Sequence, residues 1–197
     1  MDTNDSLSVK PFLKDKLTTQ QCLIVEDHVQ ARIWLERAVR QAFHSVTCVL
    51  AGTVKDGKEA LDAAIPDIAL IDLGLPDGNG VTLISLLDAE RKVRKTKTTI
   101  IVSTVMNDDE SIFSAIRAGA DGYILKEESQ TNLVVLLRGI HENKPPLSAP
   151  IAMRLLDYFK SDSLEGDPLA PRERQILQLL AKGFTVPKVA EMLGITQ

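Results

Sequence analysis

Three acidic side chains and one lysine in this chain sit where apolar runs end. The run Ile68-Ala-Leu-Ile-Asp72-Leu leads straight into the turn residues Gly74, Pro76, Asp77, Gly78 and Gly80. That pattern reads as a buried strand carrying a carboxylate to its C-terminal tip. Cys22-Leu-Ile-Val ends in the same way in Glu26 and Asp27, and Gly122-Tyr-Ile-Leu ends in Lys126. In open parallel α/β sheets, ligands bind at those tips. Three carboxylates and one ammonium at three strand ends point to a divalent cation and a phosphoryl group rather than to a packed core.

The elements that must hold these residues follow from hydrophobic periodicity. Strands are predicted at 23–25, 46–51, 68–73, 99–104 and 122–125. Helices are predicted at 29–42, 56–64, 81–92, 108–118 and 129–141. The first helix carries Ile33, Leu35, Ala38, Val39 and Ala42 at helical spacing, with Trp34 on or near the stripe. Pro66 closes the second helix and Gly119 stops the fourth. Short, near-continuous apolar strands are expected when both faces of a parallel sheet are covered. Five βα units in a row therefore imply a doubly wound α/β sheet. Periodicity leaves the strand order open between the two common arrangements.

Asn143-Lys-Pro-Pro marks a boundary. The expected organisation is a polar tail at 1–20, an α/β domain at 21–143, a linker at 144–168 with a short helix at 149–160, and an all-α segment at 169–197. Helices are predicted there at 171–183, with Pro171 at the start and Gly183 past the end, and at 187–193.

The chain is 197 residues long and 44% hydrophobic, enough for a real core. A net charge of −4 and a pI near 5.4 give no global basic signature for nucleic acid. The acid is concentrated in residues 1–143, with 21 acidic against 16 basic side chains, which is where the candidate site lies. Cys22 and Cys48 lie inside apolar runs and are expected as buried thiols in a reducing cytosol. No apolar span approaches the roughly 20 residues a membrane helix needs. The N-terminus lacks the basic and apolar regions of a signal peptide. A cytoplasmic protein without a membrane partner is expected.

Residues 21–143 resemble the receiver domain of bacterial response regulators. The resemblance rests on Glu26-Asp27, on Asp72 with Pro76 and Gly80 beyond it, on Thr104 ending a strand, and on Ala118-Gly-Ala-Asp-Gly-Tyr-Ile-Leu-Lys126. Residues 169–195 resemble the start of a LuxR-type helix-turn-helix domain, so the chain is similar to the NarL/FixJ-type subfamily. The resemblance implies a flavodoxin-like five-stranded sheet of order 2-1-3-4-5. Two departures stand out. Ala170 replaces the usual Ser or Thr helix cap, a loss that typically costs about 1 kcal/mol. Glu127 follows Lys126 where other receivers often carry Pro. The sequence stops near Thr196, where the recognition helix would begin, so an incomplete DNA-binding domain without specific promoter binding is expected of this chain alone.

The resemblance also assigns roles. Asp72 would attack a phosphohistidine of a sensor histidine kinase and become an acyl phosphate. Mg²⁺, a hard cation taking oxygen ligands, suits Glu26, Asp27 and Asp72, with the Gly74 carbonyl as a further ligand. Lys126 would neutralise the phosphoryl oxygens and Thr104 would donate to one of them. Thr104 would be drawn toward the phosphoryl group, and Tyr123 would turn into the space it leaves. Val105 should narrow access to the phosphoryl group, with Gly74 and Met106 lining the mouth. Asp77, Asp108 and Asp109 are expected as turn and helix-cap acids. His28, His44 and His141 lack metal spacing and are expected to be structural or surface residues.

The function expected is a phosphorylation-switched transcription regulator that dimerises on phosphorylation and, in full-length form, binds promoter DNA. It would not be an enzyme beyond its own phosphotransfer and dephosphorylation. A receiver-type protein-interaction module acting without DNA is the alternative. A haloacid-dehalogenase-like phosphatase would need a second Asp at the position of Gly74 and is set aside.

Overall fold

Alternation along the strands sorts the core into two layers, one on each face of a single sheet. The structure, a computed structural model, describes residues 20–142, 144, 146–161, 175–176, 178–179 and 192–193. Its strands are β1 (Gln20–Val25), β2 (Val46–Ala51), β3 (Ile68–Ile71), β4 (Gly74–Leu75), β5 (Gly78–Asn79), β6 (Thr99–Thr104) and β7 (Gly122–Leu125). Its helices are α1 (Val29–Ala42), α2 (Val54–Ala63), α3 (Val81–Arg94), α4 (Asp109–Arg117), α5 (Gln130–Arg138) and α6 (Ala149–Ser161), with a 3-10 turn at Gly139–Glu142. Five strands form a parallel sheet of order β2-β1-β3-β6-β7. Counted among those five, this is the order 2-1-3-4-5 that the resemblance implied. The antiparallel ribbon β4–β5 has no counterpart among the predicted strands. Two-residue strands are too short to leave a periodic signal.

Leu23 and Val25, Ala69 and Ile71, and Ile100 and Val102 face one way, toward α2, α3 and α4. Cys22 and Ile24, Ile68 and Leu70, and Ile101 face the other way, toward α1 and α5. A strand's side chains alternate, so a continuous apolar run supplies both layers. The edge strand β2 departs from the expected double cover, with Val49 and Leu50 each 45% exposed. On α1, Leu35, Ala38, Val39 and Ala42 are buried, but Ile33 lies at the margin and is exposed. Cys22 is buried as expected, whereas Cys48 on β2 is only half-buried.

The starts of α2, α4 and α5 are set by side-chain caps, which moves some predicted boundaries. Thr53 accepts from the Asp56 amide and starts α2 earlier than position 56. Asp108 and Ser129 cap α4 and α5 through the amides of Ser111 and Asn132, so both stand just outside their helices. Asp77 accepts from the Val54 and Lys55 amides at the start of α2, as befits a turn acid. Of the expected C-terminal helices, residues 175–176, 178–179 and 192–193 are described and are helical; the rest of 169–197 and the tail at 1–19 lie outside the described residues.

The lower pole of the sheet is tied by one guanidinium. Arg91 on α3 donates to the Thr98 carbonyl (2.9 Å), the Gly119 carbonyl (2.9 Å) and Asp88 (2.9 Å), and it also pairs with Asp121. Asp121 in turn accepts from the Ile100 amide at 2.8 Å. This network joins α3, β6 and the turn before β7. Replacing Arg91 with Ala should leave several part-buried polar groups without partners and cost about 2–3 kcal/mol. Urea unfolding checks this; a loss under about 0.5 kcal/mol, typical of a surface site, would show the network to be dispensable.

Candidate functional site

Parallel strands bring their C-terminal tips to one edge, and the candidate residues meet there. The Asp72 amide donates to the Val25 carbonyl at 2.9 Å, which fixes the tips of β1 and β3 side by side. The Lys126 amide donates to the Thr104 carbonyl at 3.0 Å and fixes β7 beside β6. From β7, the Lys126 ammonium reaches Asp72 Oδ2 at 2.7 Å and Glu26 Oε2 at 2.6 Å. The Glu26 contact is an ion pair rather than an aligned hydrogen bond. Both carboxylates are buried. Gly80 closes the loop after Asp72: its amide donates to the Leu73 carbonyl at 3.0 Å. A Cβ there would stand 1.9 Å from the Asp72 carbonyl oxygen, so only glycine allows this close approach.

Burial pushes the Glu26 carboxyl above its ordinary value, and Lys126 offsets part of that rise. Burial also disfavours the Lys126 ammonium, but the two carboxylates outweigh it and raise its pKa. Asp27 is held below its ordinary value: a small burial cost is overcome by the hydrogen bond to His28. These opposite environments separate two neighbouring acids, one locked inward and one at the surface.

Glu26, Asp27 and His28 offer ligand atoms all within 4.8 Å of one another. His28 Nδ1 lies 2.8 Å from Asp27 Oδ1, and the His28 amide donates to Glu26 Oε1 at 3.1 Å. The donors fit a hard cation through Glu26 and Asp27. Asp72, the third expected ligand, is joined to Glu26 through Lys126, whose ammonium bridges the two carboxylates. Gly74 donates its amide to Asp72 Oδ1 at 3.4 Å and lies at the exposed rim. Arg32 on α1 donates to the Glu26 carbonyl at 3.0 Å. Sequence reasoning set His28 aside as a structural or surface residue, and it missed Arg32. Adjacency to the acidic pair is a signal that could have found His28, whereas Arg32 has no local signal.

Thr104 is buried, and its Oγ1 accepts from the Met106 amide at 3.4 Å. Tyr123 is 1% exposed and donates its hydroxyl to the Met106 carbonyl at 2.7 Å. Burial, then the charges of Asp108 and Asp72, raise its pKa. The ring expected to turn inward during switching is thus already inward. Met106 comes within contact of Gly74, with its Cε 3.3 Å from where a Cβ would stand. Val105 projects into solvent, 63% exposed, whereas Met106 is the residue that leans on Gly74. Asp108 is the α4 cap, and Asp109 pairs with Arg154 of α6. His141 packs edge-on against Phe43 and His44 is exposed, both away from the site.

A doubly wound parallel sheet with acids on two adjacent tips and a lysine reaching them from a third is the architecture of receiver-type signalling domains. The family model described as "Response regulator receiver domain" matches residues 22–138, and the chain belongs to that family. The nitrate/nitrite response regulator protein NarL of Escherichia coli strain K12 is 28% identical over 179 residues, covering 89% of this chain and 81% of that one. The oxygen regulatory protein NreC of Staphylococcus aureus strain MRSA252 is 29% identical over 187 residues, covering 88% and 82%. Among solved structures, RcsB from Salmonella enterica serovar Typhimurium, bound to promoter rprA in the presence of the phosphomimetic BeF3−, has a TM-score of 0.61 at 23% identity. That match covers 90% of this chain and 84% of RcsB. The chain is a response regulator of the NarL/FixJ type, a signalling protein of two-component systems.

Removing the bridging ammonium exposes the sign of the Glu26 shift. Its pKa is raised by folding, so its contribution to stability is fullest below its unfolded value and declines as pH rises through the folded one. In Lys126→Gln, a buried Glu26 loses its counter-charge, and the variant should be about 3 kcal/mol less stable at pH 7.5. The deficit should shrink toward pH 4.5 as Glu26 protonates. Urea unfolding across that range checks it; a deficit independent of pH would mean the ammonium and Glu26 do not interact.

Proposed function

We propose that Asp72 is the phosphoacceptor and that a phosphohistidine of a sensor histidine kinase is the donor. The observation that carries this reading is a buried Asp72 carboxylate with an ammonium 2.7 Å away at the strand-tip edge. An Asp72 oxygen attacks phosphorus, the new O–P bond forms as the N–P bond breaks, and the imidazole leaves. Phosphoryl transfer needs charge neutralisation and positioning more than covalent help. Lys126 supplies one positive charge and is already placed beside the nucleophile. Thr104 can donate its hydroxyl proton to a phosphoryl oxygen. Glu26, Asp27, Asp72 and the Gly74 carbonyl would hold Mg²⁺, which when bound adds the remaining charge neutralisation. Met106 over Gly74 restricts access of water and small donors.

Transfer adds about −1.5 to −2 charge and three acceptor oxygens at one strand tip. That charge biases a two-state domain toward its signalling form. Because Tyr123 is already inward, the rearrangement runs through Thr104 and the β6–α4 loop rather than through rotation of the ring. The output is regulation of transcription in the cytoplasm, through promoter DNA and a homodimer formed on phosphorylation. Support comes from the DNA-bound RcsB relative and from the length shared with NarL and NreC. No helix among the described residues is long and apolar enough to cross a membrane.

Incubation with phosphoramidate and Mg²⁺, followed by intact-mass measurement, tests the assignment. One phosphoryl adduct is expected in the wild type, none in Asp72→Asn, and none in the wild type with chelator. An equal adduct in Asp72→Asn would place the acceptor elsewhere.

A further inference from the structure

The sheet ends in two edge strands, β2 and β7. On β7 the ladder continues into the linker: Tyr123 bridges to Leu147, and the Leu125 amide donates to the Ser148 hydroxyl at 3.1 Å. Among the described residues, no strand pairs with the outer edge of β2. This open strand carries one of the chain's two cysteines, Cys48, and the adjacent strand β1 carries the other, Cys22.

The two cysteines are register partners in the parallel ladder, Cys22 opposite Cys48. Neighbouring strands lie about 4.8 Å apart, inside the roughly 4.4–6.8 Å Cα separation that a disulfide spans. Both side chains leave the same face of the sheet and pack in the layer under α1 and α5. They differ in access: Cys22 is fully buried, whereas Cys48 is half-buried. Arg40 on α1 reaches the start of β2, where its guanidinium donates to the Val46 carbonyl at 3.5 Å. Val46 stands two residues before Cys48 and packs in the same layer. Glu36 anchors that guanidinium at 2.7 Å. One sulfur thus lies at the margin of the core near a cation, and the other is sealed behind it.

We propose that Cys48 and Cys22 form a peroxide-reactive dithiol: a hydroperoxide oxidises Cys48, and Cys22 resolves the product into a disulfide between β1 and β2. The Cys48 thiolate attacks one peroxide oxygen. The S–O bond forms as the O–O bond breaks, and the departing oxygen takes up a proton and leaves as water or an alcohol. The Cys22 sulfur then attacks the Cys48 sulfenic acid. The S–S bond forms, the S–O bond breaks, and the Cys22 proton leaves with the hydroxyl as water. Two thiols lose two electrons in all, and one peroxide bond is reduced.

The surroundings set these roles. A hydrogen bond from Cys22 holds the Cys48 thiol below its ordinary value; partial burial opposes this, and the Arg40 guanidinium supports it against Glu36. The Cys48 sulfur and then burial push the Cys22 thiol well up. Negative charge therefore settles on the accessible sulfur, and the thiolate is the reactive form. Cys22 needs no path to solvent, because its only reaction partner is the sulfur opposite. The bond would close a loop that contains Glu26, Asp27 and all of α1, tying the open edge strand to the strand that delivers the acidic pair. A reducing thiol can reopen it from the Cys48 side.

With two cysteines in the chain, counting thiols tests the pair. The 197-residue protein is treated with a small excess of hydrogen peroxide, unfolded in guanidinium chloride with N-ethylmaleimide, and weighed intact. Untreated protein should take up two maleimides. Treated protein should take up none, run as a monomer on a non-reducing gel, and recover both after dithiothreitol. In the untreated native protein, iodoacetamide should modify Cys48 at least about ten-fold faster than Cys22. In Cys22→Ser, peroxide should leave a Cys48 sulfenic acid that dimedone captures. In Cys48→Ser, the sealed Cys22 should survive the same peroxide treatment as a free thiol. Two free thiols in peroxide-treated wild type, or a disulfide formed only between molecules, would overturn the proposal. Loss of the Cys22 thiol in a folded Cys48→Ser variant at the wild-type rate would overturn the assignment of Cys48 as the residue oxidised first.

Discussion

The Lys126 ammonium between Glu26 and Asp72 is the interaction on which the rest of the site depends. A parallel sheet aims all its strand tips the same way, so acids that end neighbouring strands are forced together. Here β1 and β3 are adjacent, and their terminal carboxylates are both buried. Two unpaired buried anions would each cost several kcal/mol. The compensating charge comes from β7, with β6 in between, and only a side chain with a long flexible stem spans that gap. Every other functional feature is arranged around this bridge. Asp27 is only partly buried while Glu26 occupies the interior, and the β6 tip lies between the strand that carries Asp72 and the one that leads to the lysine.

The opposite pole of the sheet shows the contrast between a charge cluster that is fully satisfied and one that is poised. Arg91 has a partner for each direction it points, two of them backbone carbonyls, and its acids are themselves bonded to backbone or to a second cation. Nothing there invites a ligand. At the carboxyl-end pole, one ammonium serves two carboxylates, and the Gly74 amide reaches Asp72 only from 3.4 Å. Such a cluster gains from a further cation or from an anion that draws the lysine away. Fold stability and chemistry therefore sit at different ends of the same strands.

Met106 is one uncharged loop residue that touches three parts of the site edge. Its side chain leans on Gly74 at the mouth, while its amide and carbonyl bond to Thr104 and Tyr123. Packing at the mouth and hydrogen bonding behind it are thus carried by a single backbone segment. Thr104, the rim and β7 are thus joined through the Met106 backbone.

Much of the molecule is legible in the chain itself. The apolar runs 22–25, 68–71, 100–102 and 122–125, short and bounded by turn residues, read as strands buried on both faces, and the residues that end three of them, Glu26, Asp72 and Lys126, stand out by type and spacing. Turn chemistry sets the helix ends to within a few residues, because Thr53, Asp108 and Ser129 act on their own neighbours. Local signals fail wherever a partner comes from far along the chain. Periodicity cannot choose the strand order, because the pattern within a strand carries no record of which strand lies beside it. The same holds for the inward ring of Tyr123, the exposure of Val105, and Ser148 on the β7 edge. These positions are set by packing and hydrogen bonds between segments tens of residues apart in most cases, which only the closed sheet brings within reach. Sequence determined which side chains stand at the strand tips; tertiary structure decided which of them touch, because contact depends on strand order and burial rather than on residue type.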